Sequence, residues 1–363
     1  MRKIIAKIDL KNIQDNAAAF VRVTEKPVCA VVKANAYGHG AEEVVNALSG
    51  VVQSFAVSLL DEAKAIRVAA CGKDILILTP PLDGAELTEA ALNGFVITVG
   101  DMPTARMAVS VANTLRLPVR VHLKVNTGMN RYGMNAQTLG KACKLLAQNP
   151  LVMVEGVYSH LYGQTLASAS AQRSAFLKLL AVCRRYYPKA RAHLSATYGV
   201  TLGKDFYFDG VRVGIGLYGY LPDGARDMQA DIVRALPLKK AMTVYASVMN
   251  SRKYCFGGAG YGTPKKQAFQ DGRLSVLRIG YADGVLRLAN NGLDGYEKNA
   301  NNLCMDACMR EGKLLRGREI PVMTDAAKTA AATGTISYEV LCAATRRAET
   351  VYVYGEASIC RKE

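Results

Sequence analysis

The chain has 363 residues, half of them hydrophobic and 21% charged, which allows one large or two ordinary domains with a sizeable core and excludes a disordered composition. No apolar run approaches the roughly 18–20 residues of a membrane span, and the opening MRKIIAKIDLKN carries basic residues without the apolar stretch or cleavage site of a secretory signal. The formal charge of +16 is spread over helical segments (Arg67, Lys73, Lys141, Lys144, Arg184, Arg185) with no dense basic block or interleaved aromatics, so a solvated surface that attracts anionic ligands is expected, not a nucleic-acid interface.

Along the chain, short β-rich runs at 28–33, 53–58, 74–79, 94–98, 119–125, 153–159, 191–195 and 211–216 alternate with Ala/Leu/Lys-rich segments. The segments 60–71, 84–92, 102–114, 136–147 and 168–186 have helical spacing. Eight such alternations predict a closed (β/α)8 barrel of the TIM type, with a doubly wound open sheet as the alternative. The character changes near Asp223-Gly224-Ala225 and Leu236-Pro237. Beyond Lys239, β-prone runs at 241–251, 273–280, 319–323, 336–342 and 350–354 predict a mainly β second domain. The expected fold is therefore α/β, with a barrel over 1–235 and a mainly β domain over 236–363.

Nine cysteines are scattered without a Cys-x-x-Cys pair, and only four histidines accompany them. Neither a disulfide framework nor a structural zinc site is expected, and no metal-ligand set is read. Reduced thiols fit a cytoplasmic protein.

Functional residues of such a barrel gather at the C-terminal ends of its strands. The first strand ends in Lys33, with Tyr37 four residues on. A lysine at the mouth of a buried strand is costly to desolvate, and burial lowers its pKa, leaving a neutral amine able to act as a base or to form a Schiff base with a carbonyl cofactor such as pyridoxal phosphate. A structural ion pair is the competing reading. The fifth strand leads to Lys124, Asn126 and Arg131, the sixth to Ser159-His160, the seventh carries His193 and runs to Thr197, and the eighth holds Arg212 ahead of Gly214-Ile215-Gly216. Thr197 and the N–H groups near Gly214 and Ile215 suit a phosphate, although these glycines can equally serve tight packing. Arg212 alternates with Val211 and Val213; pointing inward, it needs an anionic or acceptor partner.

Several motifs together resemble the alanine racemase family: AVVKANAYGHG (30–40), HLKVNTGMNRYGM (122–134), GVYSHL (156–161), FDGVRVGIGLYG (208–219), GAGYG (258–262), IGYADG (279–284), CMD (304–306) and ISYEV (336–340). The resemblance implies a pyridoxal phosphate-dependent amino-acid racemase, an isomerase acting through two bases on opposite faces of the substrate. It implies Lys33 as the cofactor lysine and first base, and Tyr261 as the second base, reaching across a homodimer. His160 and Arg212 would support Tyr261, with Arg212 facing the pyridine nitrogen. Tyr37, Thr197, Gly214, Ile215 and Tyr338 would hold the phosphate. Arg131 and the backbone at Met305 would bind the substrate carboxylate, Tyr281 and Arg287 would line the access path, and Lys124 would be a carbamylated lysine paired with Arg131. Thr197 stands where serine is usual, Asn126 where aspartate is usual and Asn302 where arginine is common, and 311–335 is short. The implied reaction is L-alanine to D-alanine for peptidoglycan. A serine or broad-specificity racemase, and a non-catalytic pyridoxal phosphate-binding protein, are the alternatives.

Overall fold

The structure is a computed structural model that describes residues 4–253, 273–287, 293–294, 303–355 and 359–360. Tyr261 and Asn302 lie outside the described residues. A first strand, β1 (Ile5–Asp9), precedes the barrel. The barrel strands are β2 (Val28–Val31), β3 (Ser54–Val57), β4 (Ile75–Ile77), β5 (Val96–Val99), β6 (Val119–Lys124), β7 (Val152–Tyr158), β8 (Arg191–His193) and β9 (Val211–Val213). They pair in parallel in the order β8-β7-β6-β5-β4-β3-β2-β9. Backbone bonds from Asp209 N to Ala192 O and from Arg212 N to Ser195 O, both 2.9 Å, link β9 back to β8 and close the ring. The expected (β/α)8 barrel is thus present and the open sheet is not. Its strands are apolar on both faces because helices cover the outside and packed side chains fill the inside, as in β5, where all four residues are buried.

Side-chain caps set where the outer helices begin. Asp83, Asp101, Asn135 and Thr165 each accept a hydrogen bond from the N–H three residues on, at the start of helices Gly84–Leu92, Met102–Leu115, Ala136–Leu146 and Leu166–Arg184. These match the helical spacing read from sequence to within a few residues.

The second sheet runs β12-β11-β10-β1-β14-β15, with β13 also paired to β10. Its members are β10 (Met242–Lys253), β11 (Arg273–Leu277), β12 (Cys308–Glu311), β13 (Glu319–Met323), β14 (Glu349–Val353) and β15 (Ile359–Cys360). Strand β1 lies within this sheet, antiparallel to β10 and parallel to β14, although the sequence reading assigned the first residues to the barrel. Ala6 and Ile8 face inward with no exposure, the alternation that a half-buried strand requires.

One predicted strand is wrong. Residues 336–342 are read as β, but 337–342 belong to the helix Ser337–Ala344, which Ile336 precedes as an extended cap. Ser337, Val340, Leu341 and Ala344 are its buried positions, a spacing of three, four and seven that lays them along one helical face. Asp223 accepts from both the Ser337 N–H (3.0 Å) and its hydroxyl (2.7 Å), which anchors the first turn.

Candidate active site

Lys33 leaves β2 into an unusual turn. Ala34, Asn35, Ala36 and Tyr37 have φ between 51° and 54°, one left-handed helical turn made of L-residues. Each such residue costs roughly 1–2 kcal/mol, so the surroundings must hold the turn in place. Val32 N donates to Ala56 O and Ala36 N donates to Val32 O, both at 2.9 Å. Asn35 Oδ1 accepts from Ala41 N (2.8 Å). Glu62 spans the gap to the next βα loop: one oxygen accepts from Ala34 N (2.7 Å), the other from Ser58 N (2.7 Å) and Leu59 N (3.1 Å). The turn directs the half-buried Lys33 side chain, whose amine is held below the usual lysine value by burial and then by the Arg131 charge, against smaller opposing effects of Glu62 and Cys342.

Behind Lys33 the barrel interior is cationic. Arg212 is buried and fully engaged. Its Nη1 donates to His193 Nδ1 (2.6 Å) and His193 O (2.9 Å), and its Nη2 to Ser159 O (2.5 Å) and Leu194 O (3.2 Å). The Arg212 guanidinium lies 5.0 Å from the centre of the Tyr158 ring, and Lys124 Nζ lies 4.3 Å from the same ring. Lys124 is buried, and its amine is driven well below the ordinary lysine range by desolvation, then by Arg212 and Arg131. His160 is half-buried and held neutral by desolvation, with Arg212, Lys124, Arg131 and Lys33 all disfavouring its protonation. Arg131 itself is exposed at the rim. Such a concentration of positive charge favours an anionic ligand.

The residues expected to grip a phosphate do come together. A Cβ on Gly214 would stand 2.6 Å from the Tyr37 hydroxyl, so only glycine permits that approach. Thr197 Oγ1 accepts from Gly216 N (3.2 Å), fixing the hydroxyl beside the turn Ile215–Tyr218. The first N–H groups of such a turn have no intrahelical acceptor and are open to a ligand. Tyr37 packs 5.9 Å from Tyr338 and 5.0 Å from Tyr218, ring centre to ring centre. Burial pushes both Tyr37 and Tyr338 upward, so their hydroxyls stay protonated donors. These donors, with the half-buried amine of Lys33, fit the phosphate and aldehyde of pyridoxal phosphate.

On the second unit, Tyr281 N donates to Cys304 O (3.1 Å) and Ala282 N to Met305 O (3.0 Å), which brings the 280–283 turn against Met305. Tyr281, Arg287 and Met305 are all exposed there. Five residues escaped the sequence reading: Glu62, His122, Tyr158, Tyr218 and Cys342. Only His122 and Tyr158 left a trace, as polar residues within motifs 122–134 and 156–161.

Comparison with known proteins agrees with this geometry. Residues 8–222 match the alanine racemase N-terminal domain, and residues 241–352 match the alanine racemase C-terminal domain. Alanine racemase of Clostridium perfringens is 31% identical over 97% of this chain and 96% of its own length, and that of Streptococcus uberis 32% over 97% and 98%. Among solved structures, the biosynthetic alanine racemase of Pseudomonas aeruginosa superposes with a TM-score of 0.83 at 28% identity, covering 98% of this chain and all of its own. The Bartonella henselae alanine racemase, solved with covalently bound pyridoxal phosphate, superposes at 0.81 with 27% identity, covering 97% of this chain and 100% of its own.

Proposed function

The chain belongs to the alanine racemase family, and on that premise we propose that it interconverts L-alanine and D-alanine with pyridoxal 5'-phosphate, supplying D-alanine for peptidoglycan in the cytoplasm. The observation that carries this reading is the Lys33 amine at the barrel mouth, half-buried at the end of β2 and held below the usual lysine value by burial and the Arg131 charge. Bound pyridoxal phosphate supplies an electron sink that acidifies the substrate's Cα–H.

The chain's own residues do the rest. Tyr37, Tyr338, Thr197 and the N–H groups of Gly214 and Ile215 would hold the phosphate, and Lys33 would hold the aldehyde. Arg212 does not readily give up a proton, so it would leave a ring nitrogen placed against it unprotonated and keep the cofactor's electron withdrawal moderate. With substrate bound, the neutral Lys33 Nζ would take or return a proton on one face of Cα. Tyr261 from the second copy of the chain serves the opposite face, because inversion needs a proton removed on one side and delivered on the other. A phenol's ordinary pKa of about 10 is high for that task; the charges of Arg212 and Arg131 would stabilise its phenolate, and neutral His160 would accept the phenol's hydrogen bond. Arg131 and the Met305 backbone bind the carboxylate, while Tyr281 and Arg287 line the access path.

Lys124 fits carbamylation. Its neutral amine can add to carbon dioxide and release one proton, placing a carbamate beside Arg131 where Asn126 supplies no charge. An intact mass showing unmodified Lys124 in bicarbonate would count against it.

A chiral assay with L-alanine and L-serine, with and without added cofactor, tests the reaction and its substrate. Racemisation of alanine well above serine is expected, although a pocket discriminates one hydroxyl weakly. Borohydride should trap a pyridoxyl adduct on the Lys33 peptide, and Lys33→Ala should abolish both the adduct and the cofactor's visible absorbance. Absence of the adduct in the unaltered protein would overturn the proposal.

A further inference from the structure

At the floor of the barrel, the end opposite Lys33, lies a cavity of about 70 Å³ lined by Ser54, Asp74, His122, Arg191 and Arg212 among others. Arg212 also lines this cavity, and a hydrogen-bonded pair of histidines, His193 and His122, continues from its guanidinium.

The hydrogen bonds fix where each proton sits. A guanidinium only donates, so His193 Nδ1, 2.6 Å from Arg212 Nη1, carries a bare lone pair. Burial and the Arg212 charge keep His193 neutral, which leaves its single proton on Nε2. That N–H points at His122 Nδ1, 2.9 Å away, which must accept. His122 is also buried and neutral, so its proton is on Nε2. His122 Nε2 is buried and has no hydrogen-bond partner among the described residues. The site is shaped for this ring: a Cβ on Gly156 would stand 2.8 Å from the imidazole. A buried N–H left unpaired costs roughly 1–3 kcal/mol. The cavity is large enough for water, which needs only about 10–15 Å³, and it contains the carboxylate of Asp74, which Arg120 Nη1 holds at 2.8 Å.

We propose that His122 is a positioning residue for Arg212. By accepting from His193 it locks the tautomer that leaves His193 Nδ1 free for the guanidinium, and its own outer N–H is satisfied through water shared with Asp74. Without His122, His193 can move its proton to Nδ1, a donor then faces a donor, and the guanidinium loses a support on the side that faces the ring nitrogen. The catalytic part of this inference rests on the placement of that nitrogen proposed above; the tautomer part does not.

With only four histidines in the chain, 15N-histidine labelling of the cofactor-free protein gives an assignable spectrum. The expected result is His122 and His193 both neutral with the proton on Nε2. In His122→Asn, Oδ1 occupies the place of Nδ1 and keeps the His193 tautomer; His122→Leu loses it. In the racemisation assay, His122→Leu should lower kcat roughly ten- to a hundred-fold, the scale of a lost supporting hydrogen bond, with KM near that of the unaltered protein, and His122→Asn should restore kcat to within a few-fold. A wild-type His193 protonated on Nδ1 overturns the proposal, as does a His122→Leu variant with unchanged tautomer and kcat. Should His122→Leu not fold, the wild-type and His122→Asn spectra decide. Failure of wild type to racemise alanine or serine would refute the assigned reaction while leaving the tautomer result to be judged by the spectrum.

Discussion

Removing the Glu62 carboxylate tests how the cofactor lysine is aimed. Three backbone N–H groups converge on its two oxygens: Ala34 on one, Ser58 and Leu59 on the other. A hydrogen bond to a charged acceptor is worth about 1.5–3 kcal/mol when sheltered. Ala34 and Leu59 are exposed and Ser58 is half-buried, so water recovers part of that energy. We expect Glu62→Ala to cost about 2–3 kcal/mol and to lower the melting temperature of the cofactor-free protein by roughly 3–6 °C. The loss also frees a left-handed turn storing roughly 1–2 kcal/mol per residue, which will relax and turn Lys33 away. The fraction of chains trapped by borohydride at limiting cofactor should fall with it. Glu62→Gln separates the two roles: its one amide oxygen keeps part of the anchor, but the charge that raises Lys33 is gone, so the amine should titrate lower than in wild type at a melting temperature nearer to it. A Glu62→Ala protein with wild-type melting and wild-type trapping would refute this account of the turn.

Tyr261→Ala should leave cofactor absorbance intact while severely slowing proton abstraction from one alanine enantiomer; equal rates from both would remove it from the role of second base. Gly214→Ala places a methyl 2.6 Å from the Tyr37 hydroxyl and should weaken cofactor affinity at least ten-fold (about 1.4 kcal/mol), measured by cofactor titration; unchanged affinity would show that the cradle lies elsewhere. The histidines make stability acid-sensitive. Burial lowers His39 to about 4 and His122 to about 3, and His160 and His193 are depressed too. Each is bare in the folded state and protonates on unfolding below its ordinary value of about 6.5. Their stabilisation is therefore complete above that pH and is lost as pH falls toward 3–4, at up to about 1.4 kcal/mol per pH unit per histidine. A urea midpoint that stays flat from about pH 7 to about pH 4.5 would contradict this.

The barrel was readable because its signals are local. Apolar runs such as Val96–Val99 are buried on both faces, and capping residues mark the helix starts that follow. Arg212, a charge inside an apolar strand, and Lys33, a charge just past the end of one, were readable for the same reason. The misread segment 336–342 fits both periods: Ile336, Tyr338 and Val340 alternate, while Ser337, Val340, Leu341 and Ala344 form a helical face that only the packed structure selects. Strand β1 was missed because its partners lie more than 230 residues away, at Met242–Tyr245 and Glu349–Val353. Glu62 and His122 were missed because what distinguishes them, three backbone amides and a chosen tautomer, exists only after the chain has closed.

The pairing of β1 with β14 also sets a timetable at the ribosome. Ile5–Asp9 leaves the exit tunnel long before Glu349–Val353, the strand it joins. The barrel's eight strands are complete once residue 213 emerges, so the barrel can close while the opening segment still waits as an unpaired edge. Such an edge invites pairing with other chains until its own partner arrives. Lys7 puts a charge on that waiting strand, the kind of side chain that discourages strangers.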